Sequence, residues 1–142
     1  MVLKKLARPS YRAMNALDAA VADSGLERPL AELVRIRASQ LNGCVYCLDA
    51  HTTDARALGE TEQRIYGLSA WREAPYYTDR ERAALTLTEA VTLIHEGHVP
   101  DQAYDVAAAE FDQEELASLI WTITVINAWN RVAISTRMEP GT

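Results

Sequence analysis

Apolar residues recur at helical spacing along almost the whole 142-residue chain, and no strand-length window alternates with a period of two. That pattern restricts the chain to an all-α fold, read here as a compact bundle of about six to eight helices. A first helix is expected from Ser10 to Asp23, with Tyr11, Met14, Leu17 and Val21 on one face and Ser24-Gly25 ending it. Pro29 suits the first turn of a second, which runs to Leu41 before Asn42-Gly43 interrupts. A third spans Cys44 to Leu58, and a short fourth Thr61 to Leu68, with Trp71 to Tyr77 as a connector. Thr78 with Glu81 is a capping-box pattern ahead of an apolar stretch, Ala84 through Ile94; Gly97 and Pro100 close that helix, and Pro100 helps start another. Asp112 with Glu115 begins the last and longest helix, which reaches about Ser135 and is apolar nearly all round. No linker or low-complexity segment divides the chain, so residues 1–142 read as one domain.

Composition removes several classes of function. The 14 basic residues are scattered and the net charge is −6, which argues against a nucleic-acid partner, since that needs a concentrated cationic face. No apolar run approaches the length of a bilayer span, and Met1 to Lys5 lacks the apolar segment of a secretory signal. A cytoplasmic protein is the expectation. Both cysteines, Cys44 and Cys47, are three residues apart, and a bridge that closes so short a loop adds almost nothing to stability. In a reducing compartment such a pair reads as catalytic or metal-binding.

Cys44, Cys47 and His51 stand at i, i+3 and i+7, so a helix places them on one stripe. Helical rise sets the two cysteine Cα atoms roughly 5–5.5 Å apart, a separation a disulfide tolerates. The thiolate is the nucleophile, and an unperturbed cysteine is only about 3% ionised at pH 7. Lowering its pKa to about 6.5 raises the reactive fraction about 25-fold. Two features do this. The Asn42-Gly43 break exposes helix-start N–H groups to the cysteines, and His51 lies one turn from Cys47. The helix end favours Cys44 and the histidine favours Cys47; His51 carries more weight because it also moves protons. Zinc is the alternative, with two thiolates and one imidazole as ligands and a carboxylate as the fourth. All these ligands share one stripe and there is no second CxxC, so neither metal nor cofactor is expected.

The run from Glu32 through Arg35, Ser39, Asn42-Gly43-Cys44 and Tyr46-Cys47 to His51 resembles the core motif of the carboxymuconolactone decarboxylase superfamily, in its alkylhydroperoxidase D-like branch. The likeness continues through Trp71-Arg72-Glu73-Ala74, Asp79 to Leu85, Val99-Pro100-Asp101 and Ile126 to Arg131. The glutamate twelve residues before Cys44 and the histidine four after Cys47 make the match specific. The resemblance implies an alkylhydroperoxidase D-like all-α fold, assembly as a homo-trimer or homo-hexamer, and peroxidase and disulfide-reductase chemistry. Carried over by position, its proton relay is Glu32, Cys44, Cys47 and His51, with Cys47 attacking a hydroperoxide and Cys44 resolving it. A dithiol, on a protein or a small carrier, then reduces the pair. The peroxidase subgroup has a histidine between the cysteines, and Tyr46 stands there in this chain. A phenol titrates near pH 10 and is no neutral-pH base. The decarboxylase branch does not rely on a CxxC, so that activity ranks low.

Other residues read as structural. His95 and His98 flank Gly97 at a helix end; Trp71, Trp121 and Trp129 are core or interface anchors; Asp49 and Asp54 are solvent-facing charges. From the residues alone, Glu32 reads as a solvated first-turn carboxylate, and the resemblance moves it into the site. Against the enzyme reading, the competing function is a redox-responsive interaction protein in which the same disulfide only reports oxidation to a partner.

Overall fold

Capping chemistry sets most helix boundaries in the computed structural model, which describes residues 1–142. The elements are α1 (Leu3–Leu6), α2 (Arg8–Ala22), α3 (Arg28–Asn42), α4 (Val45–Ala57), α5 (Glu62–Tyr66) continued by a 3-10 turn (Gly67–Ala70), α6 (Asp79–Thr92), α7 (Asp101–Glu110) and α8 (Gln113–Thr136); there is no strand. Thr78 with Glu81 and Asp112 with Glu115 both form reciprocal capping boxes. Pro9 and Pro29 occupy first turns, where a missing N–H is harmless. Gly43 ends α3 in the left-handed conformation at φ 70°, which a side chain would strain.

The expected helices are present, with differences at their ends. The single turn α1 has no buried residue and no apolar period, so nothing in the sequence pattern announced it. Helix α2 starts two residues before Ser10, because Arg8 and Pro9 extend its first turn. The fourth helix is shorter than Thr61 to Leu68: Thr61 caps it, and the chain tightens to a 3-10 turn at Gly67.

Helix α3 is the hub, packing on α4, α6 and α8. Leu33, Val34, Ile36 and Ala38 are wholly inaccessible. Burying each of the three larger side chains contributes about 2 kcal/mol relative to leaving it exposed. Leu30 and Val34 join Leu87, Phe111, Leu119 and Ile123 in one cluster. Leu33 and Ile36 meet Leu68, Trp71, Tyr77 and Leu85 in a second. A third gathers Ala38, Ile126 and Ala133 around the two cysteines. The cysteine pair therefore sits on the core, at the junction of α3, α4 and α8. Helix α8 is not enclosed on every side: its inward stripe is buried, while Ile120, Trp121 and Ile134 face outward. No helix is long and apolar enough to cross a membrane.

Candidate redox site

The site begins at the turn between α3 and α4. The N–H of Gly43 donates to Gln40 O and that of Cys44 to Ser39 O at 3.0 Å, closing α3. Cys44 then has an extended backbone (φ −89°, ψ 97°) and is the N-cap of α4, not a member of it. This corrects the single-stripe geometry. After the left-handed turn at Gly43 the helix restarts only at Val45, so Cys47 and His51 lie on the helix and Cys44 just outside it. The Cys44 sulfur takes the place of a serine or aspartate cap, accepting the Cys47 N–H at 3.3 Å. The two cysteines are joined as a disulfide with a Cα–Cα distance of 5.4 Å, within the ordinary range.

Both sulfur-bearing residues are buried, at 1% and 3% exposure, but they differ in access. Cys47 lines a cavity of about 180 Å³ with His51, Tyr46, Tyr11, Trp129 and Met138; Cys44 does not. Tyr11 of α2 and Trp129 of α8, both in its lining, meet edge to face with ring centroids 5.8 Å apart. Tyr46 and Met138 also border a neighbouring cavity of about 330 Å³ beside α1. The lining on the Cys47 side thus combines aromatic and thioether surface from Tyr11, Tyr46, Trp129 and Met138 with the polar groups of Asn15, Asp18 and His51.

Behind the cavity a carboxylate and an imidazole from two helices are hydrogen-bonded. Glu32 of α3 is buried at 5% exposure, which sets aside the solvated carboxylate. Its Oε2 is 2.8 Å from His51 Nδ1, and its Oε1 accepts from Arg35 Nη1 at 2.9 Å. Burial raises the pKa of this carboxyl, and the hydrogen bond and charge of His51, with those of Arg35, bring it below the ordinary 4.5. Asp54 is exposed, and its carboxylate comes within 4.8 Å of the Glu32 and His51 donor atoms. Arg35 already neutralises Glu32 there, and a cation would have to compete with that guanidinium. While the disulfide is closed neither sulfur is available as a thiolate ligand.

A buried amide network holds the turn from below. Asn42 Nδ2 donates to Asn127 Oδ1 at 2.9 Å and Asn130 Oδ1 at 2.8 Å. Asn130 Nδ2 donates to Ser39 Oγ at 3.0 Å, and Asn127 Nδ2 to Thr92 Oγ1 at 2.9 Å. These bonds tie the last turn of α3, immediately before Cys44, to α6 and α8.

Glu32, Cys47 and His51 are brought together, and Cys44 is bonded to Cys47. Arg35, Tyr11, Trp129 and Met138 were not foreseen. Arg35 stands three residues after Glu32, a spacing at which helical charges meet, and that signal was available. The other three come together only through packing. Trp129 forms a wall of the cavity, Trp71 is core, and Trp121 is half exposed. His95 and His98 are exposed and remote from the site's lining.

Residues 8–90 match the model of the carboxymuconolactone decarboxylase family, more than half of the chain. The chain belongs to that family. It is 43% identical to the uncharacterized protein YdfG of Bacillus subtilis over 92% of this chain and 89% of that one. A crystal structure of an Agrobacterium tumefaciens protein of unknown function, provisionally described as an AhpD antioxidant defence protein, superposes with a TM-score of 0.97 at 39% identity. That match covers 100% of this chain and 97% of the other. An uncharacterized peroxidase-related protein from Silicibacter sp. matches with a TM-score of 0.81 at 25% identity, covering 92% and 70%. The all-α, AhpD-like fold of this family member is therefore the one expected from its motif.

Proposed function

We propose that this family member is a thiol-dependent peroxidase and disulfide reductase that works in the cytoplasm. The observation that carries the reading is the asymmetry of the pair: Cys47 shares a cavity with His51, and Cys44 is shielded behind it. The reduced Cys47 thiol gives its proton to His51, and the thiolate attacks the terminal oxygen of a hydroperoxide. The O–O bond breaks, Cys47 becomes a sulfenic acid, and the departing alkoxide takes the proton from His51. Cys44 then attacks the Cys47 sulfur, expelling water and closing the disulfide. A dithiol restores the pair by exchange and leaves as its own disulfide. Tyr11, Tyr46, Trp129 and Met138 give the cavity one apolar side on which an organic substituent buries surface, which favours an organic hydroperoxide over hydrogen peroxide. Glu32 assists by orienting His51.

The antioxidant description attached to the Agrobacterium relative supports the same chemistry. The outward-facing Ile120, Trp121 and Ile134 support a homo-oligomer, a trimer or hexamer with α8 in the contact. A single-turnover reaction tests the role of each sulfur. Cys44→Ser protein given one equivalent of cumene hydroperoxide and then dimedone should carry the adduct on Cys47. An adduct on Cys44 in the Cys47→Ser variant, with none on Cys47, would reverse the two roles.

A further inference from the structure

Arg35 has no part in the relay that the motif implies, yet it is the cation in direct contact with the buried carboxylate of the site. Its side chain is 11% exposed and that of Glu32 is 7% exposed. One carboxylate oxygen faces Arg35 Nη1 at 2.9 Å and the other faces His51 Nδ1 at 2.8 Å. A carboxylate that keeps its charge can only accept hydrogen bonds, so the ring nitrogen against it must carry hydrogen. Nδ1–H is then committed to Glu32, and Nε2 is the one ring nitrogen with a free lone pair. A protonated Glu32 would reverse this: its O–H would donate to Nδ1, the ring would carry its hydrogen on Nε2, and no base would be left for Cys47. The charge state of Glu32 thus selects the tautomer of His51.

We propose that Arg35 is a positioning residue: it keeps Glu32 an anion, so that Glu32 fixes His51 as the Nδ1–H tautomer and leaves Nε2 as the base for Cys47. Glu32 on this account holds the ring and does not itself pass the proton. The thiol proton moves from Cys47 sulfur to Nε2, and from Nε2 to the departing alkoxide. The other charged groups around Glu32 do not perform this task. Arg28 of α3 is exposed, and Asp18 of α2 and Asp54 of α4 are anions that oppose another negative charge; α8 contributes only Thr122 to this groove. The role of Nε2 rests on the peroxidase reading, whereas the Arg35–Glu32–His51 arrangement does not.

NMR of labelled, reduced protein tests it without any turnover. In the wild type the His51 nitrogen shifts at pH 8 should report hydrogen on Nδ1, and the Glu32 carboxyl carbon should report an anion at neutral pH. In Arg35→Met the Glu32 titration should move up by about two to three pH units, the effect of removing an opposite charge at salt-bridge distance from a buried carboxylate. Part of the His51 signal near pH 7 should move to the Nε2–H form. Arg35→Lys, which keeps the charge, should restore most of both signals. An Nε2–H ring in the wild type would overturn the proposal even if Arg35→Met failed to fold. So would an unshifted Glu32 titration in a folded Arg35→Met. A wild type with the expected tautomer but no peroxide turnover would instead remove the peroxidase reading and leave this arrangement standing.

Discussion

Asn130→Ala is expected to cost about 3 kcal/mol of stability, because it removes the centre of the amide network under the redox turn. The side chain is wholly buried. It donates to Ser39 Oγ at 3.0 Å and accepts from Asn42 Nδ2 at 2.8 Å. Each of those bonds contributes about 1 kcal/mol net. Neither partner is orphaned: Asn42 keeps Asn127 Oδ1 at 2.9 Å, and Ser39 keeps its donation to Arg35 O at 2.7 Å. That holds the hydrogen-bond loss to about 2 kcal/mol, and the cavity left by the carboxamide adds about 1 kcal/mol. An unfolding entropy of about 2.1 cal/mol/K per residue gives about 0.3 kcal/mol/K for 142 residues. The expected fall in Tm is therefore about 10 °C. Scanning calorimetry at one fixed protein concentration measures it, since self-association shifts Tm. Thr124→Ala is the control: its exposed hydroxyl bonds only to Ile120 O of its own helix, and the change should stay within about 0.5 kcal/mol. A fall of less than about 3 °C for Asn130→Ala would show that the network does not tie α3 to α8.

Three further outcomes follow from the same geometry. Tyr46→His should raise the peroxidase rate near pH 7 by supplying a neutral-pH base at the cavity wall, while Tyr46→Phe should change it less than about three-fold; a large loss in the phenylalanine variant would make the phenol a working group. Glu32 and Glu81 both titrate below 4.5 when folded, burial raising each and their cationic and hydrogen-bonding partners outweighing it. Their stabilisation is present above the unfolded value and is lost as pH falls through the lower folded values. Glu32→Gln should thus be about 2–3 kcal/mol less stable at pH 7, with the gap closing toward pH 3 in denaturant titrations; a constant gap would contradict the ion-pair origin. Light scattering should find the wild type well above the 15.8 kDa of one chain, and Trp121→Glu should shift it toward that mass; a monomeric wild type would remove the proposed assembly.

Much of the architecture was legible because its signals are local. Two capping boxes, the Pro29 start and the Asn42-Gly43 stop each act within a few residues, and each sets a boundary in the fold. The disulfide separation followed from helical rise alone, although Cys44 lies outside the helix. The motif brought Glu32 to notice, but its burial depends on α2 and α4 closing over α3, which no spacing records. Tyr11, Trp129 and Met138 belong to the site for the same reason: α2, α8 and the chain after α8 meet there only when folded. Arg35 is the exception, since its i+3 relation to Glu32 was readable and only its consequence for His51 needed the structure.

Steady-state consumption of an organic hydroperoxide in the presence of excess dithiol tests the central claim most directly. The account predicts many equivalents consumed per chain for as long as dithiol remains, with Cys47→Ser inactive and Cys44→Ser halted after one equivalent. Consumption that stops at one equivalent in the wild type with dithiol still present would instead make the pair a redox-responsive switch, and an active Cys47→Ser would contradict the chemistry assigned to this site.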